Sequence, residues 1–109
     1  MTTPAAPVRS FRGGMRYGFP ITAHWPWPLV TLDIYPSEIG LRPTYTWLPT
    51  FVPKWRFGYD GIAAVEPLRG TSKVRLVIRD RASIIFTCFE REELLGVLRM
   101  QGGVRVEGR

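Results

Sequence analysis

The sequence predicts a mainly β fold, a small barrel of about six or seven antiparallel strands closed by one C-terminal α-helix. Two features predict it. Short apolar/polar alternations of period two recur along most of the chain with turn residues between them, and only one segment, near the C-terminus, changes to helical period. The chain has 109 residues, enough for one domain, and a globule of that size buries roughly 65% of the surface its unfolded chain exposes.

The elements follow in chain order. Residues 1 to 15 are small, basic and rich in Pro, Thr and Gly, so they read as a mobile leader ending at the Gly13-Gly14 break. Val30, Leu32 and Ile34 alternate with Thr31, Asp33 and Tyr35, the mark of a strand with one buried face. Pro36-Ser37-Glu38 makes a turn, and Ile39 and Leu41 resume the alternation against Gly40 and Arg42, which completes a hairpin.

The stretch from Thr44 to Lys54 is apolar for a loop, yet Pro49 and Pro53 each remove a ladder donor and confine any strand there to an edge. Trp55 to Phe57 is a short strand, Tyr59-Asp60-Gly61 a turn, and Ile62 to Leu68 a strand again. Arg69-Gly70-Thr71-Ser72 turns the chain into a strand over Lys73 to Arg79, on which Val74, Leu76 and Ile78 share a face. Asp80-Arg81-Ala82 turns it once more, into the apolar strand Ser83 to Phe89.

The helix is expected over Glu90 to Gln101, where Leu94, Leu95, Val97 and Leu98 form an apolar stripe. Glu90, Glu92 and Glu93 complement the positive end of its dipole and Arg99 the negative end. Gly102 is a natural stop. Thr87-x-x-Glu90 fits a capping box, although Thr87 equally fits the preceding strand.

These patterns resemble the pleckstrin-homology-like (PH-like) barrel as it occurs in bacterial proteins. "WPLVTLDIYPSEIGLRP" is similar to its first hairpin, and "WRFGYDGIAAVEPLRG" to an aromatic strand, a turn and an Ile-x-x-Val-Glu strand. "IIFTCFEREELLGVLRMQG" is similar to its last strand and capping helix. The resemblance implies a PH-like barrel over residues 16 to 103, with the leader before it and a tail over 104 to 109. It also implies that the helix plugs an open barrel end with Leu94, Val97 and Leu98. Such barrels serve lipid, peptide and protein recognition alike. In lipid-binding members Lys and Arg cluster around the first hairpin loop; here the His24 to Pro28 stretch has neither, and the Pro36-Ser37-Glu38 turn carries an acid.

Composition narrows the function classes. The net charge of +6 favours anionic partners, while 13 arginines among the 15 basic residues, with abundant Ala, Gly and Pro, also suit a GC-rich genome. The single cysteine, Cys88, cannot form an internal disulfide and fits a reducing compartment. No run approaches the roughly 18 apolar residues that span a bilayer, and the N-terminus lacks a secretory apolar region. The expected location is cytoplasmic, with association to a membrane surface under the lipid alternative below.

Catalytic signals are absent from the sequence. A triad or a Cys–His pair would have to use His24, the only histidine, and nothing near it or Cys88 marks an activated nucleophile. No metal-ligand spacing and no Gly-rich phosphate loop occurs. A non-enzymatic module without cofactor or metal is expected.

Three stretches carry binding candidates. In "AHWPWP", Trp25 and Trp27 share a side of an extended chain stiffened by Pro26 and Pro28; the stretch reads as a strand bend or as an aromatic contact platform. In "TWLPTFVP", Trp47, Leu48, Phe51 and Val52 make either an exposed contact patch or a cover over a barrel edge. In "KWRF", Lys54 and Arg56 alternate with Trp55 and Phe57, which suits either a half-buried strand or stacking on nucleic-acid bases. Arg42, Arg75 and Arg79 fall on outward positions and extend Lys54 and Arg56 into a candidate anion-contact face. The leading expectation is docking to a protein partner or to a second copy of the chain. The alternatives are peripheral binding to an anionic membrane and, third, nucleic-acid binding through the basic face.

Overall fold

The structure is a computed structural model and describes residues 6–18, 23–47, 54–69, 71–79, 81, 83–102 and 106. Seven strands form one curled antiparallel sheet: β1 (Arg9–Tyr17), β2 (Ala23–Ile34), β3 (Glu38–Pro43), β4 (Trp55–Gly58), β5 (Ile62–Pro67), β6 (Lys73–Ile78) and β7 (Ile84–Thr87). A 3-10 turn, Tyr59–Gly61, joins β4 to β5, and the helix α1 spans Arg91–Gly102. The sheet order is β4-β3-β2-β1-β7-β6-β5. Each meander therefore winds away from its neighbour, and β1 is the joint between them.

That joint corrects the expected leader. Arg9–Tyr17 is a central strand, paired with β2 along its length and with β7 over Gly14 to Tyr17. Phe11 and Met15 lie in the core, while Arg12 and Arg16 face outward. The glycine pair that suggested a break is where neighbouring backbone comes close on both sides. A Cβ on Gly13 would stand 2.1 Å from the Thr87 carbonyl oxygen and 2.7 Å from the Phe86 ring. One on Gly14 would stand 2.7 Å from both the Trp25 oxygen and the Trp27 nitrogen. Glycine is required there because backbone, which cannot swing aside, occupies the space a side chain would need. Residues 1 to 5 lie outside the described residues.

The hairpin, the β6 strand and the helix stand where the sequence puts them. Ile34 pairs with Ile39, and the Tyr35 N–H donates to the Glu38 carbonyl at 2.8 Å to close the β2–β3 turn. Val74, Leu76 and Ile78 are buried on one face of β6. Thr87 ends β7, paired with both Gly14 and Lys73, so of its two readings the strand holds. The first helical hydrogen bond runs from the Leu94 N–H to the Glu90 carbonyl at 2.9 Å.

The core sits inside the curl, with α1 laid over it. Leu94, Leu95 and Leu98 are fully buried and Val97 packs partly against them, each buried side chain worth roughly 1.5–3 kcal/mol. Leu95 thus takes the plugging position expected of Val97. Two ties fix the helix, one to the β5–β6 connection and one to β1. Arg91 donates through Nη1 to the Leu68 carbonyl at 2.8 Å and to the Thr71 carbonyl, and Arg9 pairs with Glu93. The expected tail is also corrected in part: Val106 forms a parallel bridge with Val65 and packs on the core, so the domain extends past residue 103.

On β2 both faces are covered from Val30 to Ile34, and Asp33 is buried. Its carboxylate accepts from the Ser10 hydroxyl at 2.5 Å and from Arg42 Nε at 2.6 Å. A buried charge needs such partners, because removing one leaves the other uncompensated.

Candidate interaction surfaces

The "AHWPWP" stretch lies within β2, at a break in its pairing with β1. Met15 faces Trp25, but Gly13, two residues away, faces Val30, five residues away. The extra residues of β2 bulge out, and the two prolines lie among them, where no ladder N–H is needed. The bend reading therefore describes the backbone. The Trp27–Pro28 peptide bond is cis.

The bulge separates the two tryptophans. Trp25 is half-buried and packs against the core, as the scaffold reading of the stretch has it. Trp27 is 47% exposed and meets Phe89, 70% exposed, edge to face with ring centroids 5.3 Å apart. Phe89 escaped the sequence reading although a signal was present. Ile84, Phe86 and Cys88 alternate inward, so Phe89, next in the chain and just before α1, falls on the outward side.

Trp47 is 73% exposed and stacks on Tyr45, centroids 5.4 Å apart and planes 14° off parallel. Leu48, Phe51 and Val52 lie outside the described residues.

Of the expected anion contacts, most are engaged by the protein's own groups. Arg42 holds Asp33; Arg56 pairs with Glu38 at 2.7 Å and lies over the Tyr35 ring; Arg75 pairs with Glu66 at 3.4 Å. Arg75 stands apart on β6, so the five do not form one face. Four do gather around β4. Arg42, Lys54 and Arg56 line a recess of about 80 Å³ with Asp33 and Tyr35. Lys54, Arg56 and Arg79 line an open cleft of about 480 Å³ together with Arg81, Trp55, Phe57, Gly58, Gly61 and Ile78. Arg81, which the sequence presents only as a turn residue, lies with its guanidinium 5.3 Å from the Phe57 ring centroid.

Within "KWRF" the half-buried strand is what forms. Trp55 and Phe57 pack against the core, Trp55 edge to face with Tyr17 at 4.7 Å, while Lys54 and Arg56 are exposed. Each ring is thus partly covered by the protein's own residues, and the rest of it lines the cleft beside Arg79 and Arg81.

The nucleophile candidates do not meet. His24 is exposed on β2 opposite Arg16, whereas Cys88 is fully buried. Burial pushes the Cys88 thiol pKa up, and the carboxylates of Glu90 and Glu93 add to this against a backbone hydrogen bond at Glu90 that lowers it. Thiolate is the reactive form, so this environment disfavours nucleophilic use. Burial likewise raises the Tyr59 phenol, which donates to the Tyr35 carbonyl at 2.7 Å.

Among the described residues no three His, Cys, Asp or Glu side chains gather as a metal-ligand set, and no helix is long and apolar enough to cross a membrane. Comparison of the chain with family models, with curated proteins and with solved structures finds no match.

Proposed function

We propose that the chain is a non-catalytic PH-like interaction module that docks a protein surface, in the first instance a second copy of itself, through the Trp27–Phe89 pair. The observation that carries this reading is the pair itself. Two large rings from distant segments are held edge to face in water by the bulge of β2 and the turn between β7 and α1. Tryptophan is enriched among the residues that dominate binding energy, and apolar area gains roughly 25 cal/mol per Å² when a partner covers it. Trp47 stacked on Tyr45 is a second exposed aromatic contact. The PH-like part of the reading draws support from the strand order and from a helix that closes the curled sheet.

Sedimentation velocity over a concentration series tests it. Self-association is expected to weaken about tenfold or more in Trp27→Ser and in Phe89→Ser, as for a hot-spot residue. A wild-type chain that stays monomeric at the highest concentration removes the homotypic form and leaves a different protein as the partner.

Peripheral binding to an anionic membrane is the second reading. It is favoured by Arg12 and Arg16, exposed and without a carboxylate partner among the described residues, on the strand that pairs with the Trp27 bulge. Aromatic rings beside cations suit the headgroup region. Co-sedimentation with acidic liposomes at low and physiological salt tests this, and failure at both excludes it.

A further inference from the structure

The seven-stranded sheet has two edges, β4 and β5. Val106 bridges Val65 on β5, so that edge has a partner at Val65. On β4 the pairing partner is β3, and among the described residues no second strand pairs with it. Its four residues line the cleft of about 480 Å³, whose other wall comes from Gly61, Ile78, Arg79 and Arg81. An unpaired edge of this kind presents free N–H and C=O groups and is a template for another extended segment.

The charge along this cleft selects the segment. Four cations line it, and among the described residues only Arg56 has a carboxylate partner, Glu38. Arg79 gives its Nε to the Asp60 main-chain carbonyl at 2.8 Å, Arg81 lies over the Phe57 ring, and Lys54 has no partner among the described residues. Three positive side chains are thus available around one strand edge. They disfavour an unmodified second copy of this strongly basic edge, since like charges would be brought together, and they attract acids.

We infer that the outer edge of β4 receives an acidic, extended segment of a partner protein as an added strand, with its acidic side chains against Lys54, Arg79 and Arg81. The four residues of β4 offer about 13 Å of edge at roughly 3.3 Å per residue. Main-chain pairing supplies affinity, and the alternation of side chains along an added strand puts every second residue towards the cations. This surface is separate from the Trp27–Phe89 pair. The start of β6 pairs with Thr87, two residues before Phe89, whereas Arg79 follows the other end of β6.

Fluorescence anisotropy with a labelled peptide of alternating glutamate and threonine tests the inference on the full chain at low and physiological salt. Binding is expected, about tenfold weaker or worse in Arg79→Glu/Arg81→Glu. A chemical denaturation curve matching wild type shows that this variant is folded; should it be unfolded, Lys54→Glu takes its place with the same expected loss.

N-methylation of alternate peptide residues separates strand addition from charge alone, because it keeps every carboxylate and removes main-chain donors. The methylated peptide is expected to bind at least about tenfold more weakly. Equal binding of the two peptides overturns the inference, as does absence of binding at low salt. Displacement of the peptide by inorganic phosphate or anionic vesicles at equal anion concentration also overturns it, in favour of a general anion site. Trp27→Ser is expected to leave peptide binding unchanged, so the outcome is independent of the docking surface proposed above.

Discussion

β1 and β6 both lie inside the sheet with a strand on either side, yet they are built on different terms. β6 runs Lys73–Ile78 between β5 and β7 with a clean alternation, its even-numbered residues Val74, Leu76 and Ile78 buried. β1 pairs with β2 from Arg9 to Tyr17 but with β7 only from Gly14 onward. It must therefore bend at the point where the second partner arrives. The bend is made where Gly13 and Gly14 let the backbones of β7 and β2 approach, and two glycines erase the alternation that marks a strand in sequence. A flat stretch of sheet carries its signature in side chains; a joint between sheets carries it in their absence.

The largest way to break this contrast is Gly13→Val. The new side chain would overlap the Thr87 carbonyl and the Phe86 ring, and loss of the folded state is expected, read as disappearance of a cooperative urea transition. A stable, cooperatively unfolding Gly13→Val protein would mean that β1 is not held as described.

Leu98→Asp comes next. Leu98 is fully buried where α1 closes the core over both strands, and an uncompensated carboxylate there costs several kcal/mol. Unfolding by circular dichroism is the expected outcome.

Side-chain truncation sharpens the comparison. Phe11→Ala on β1 empties a fully buried site and is expected to cost about 3–5 kcal/mol. Val77→Ala, half-buried on β6, is expected to cost about 1 kcal/mol. Similar urea midpoints for the two variants would return β1 to the periphery.

The smallest effect is electrostatic and belongs to β1 alone. The hydrogen bond from Arg9, aided by its charge and opposed by desolvation, lowers the Glu93 carboxyl pKa. A carboxyl depressed on folding contributes stability that is present above its unfolded pKa and is lost as pH falls through the folded one. Wild type and Glu93→Gln are therefore expected to differ slightly in thermal midpoint at neutral pH and to converge in acid. The exposed position keeps the difference small.

The same contrast explains what was legible in the candidate surfaces. Trp27 and Trp47 were legible as candidates for exposed rings, because proline-interrupted segments fit poorly into a ladder, and both rings are exposed. Trp25, one step away in the same motif, went to the core because β2 bulges between the two. Lys54, Arg56 and Arg79 were legible as outward cations, but their use was not. Whether an arginine is free depends on the acid opposite, and Glu38 and Asp33 reach Arg56 and Arg42 only across paired strands. Alternation encodes that Phe89 faces outward, but its meeting with Trp27, like that of Arg81 with Phe57, joins segments far apart in the chain.

By itself the sequence determined the strand-and-turn rhythm, the β2–β3 hairpin, the buried face of β6 and the amphipathic helix with Leu94 and Leu98 inward. Each is a local property, because side-chain period follows from backbone geometry within a few residues. Only the tertiary structure decided that β1 is the joint of the sheet, that Asp33 is buried with its arginine, that Phe89 stands beside Trp27, and that Lys54, Arg79 and Arg81 meet at an open edge. These are relations between segments far apart in the chain, fixed by close approach and charge compensation, which no single window of sequence contains.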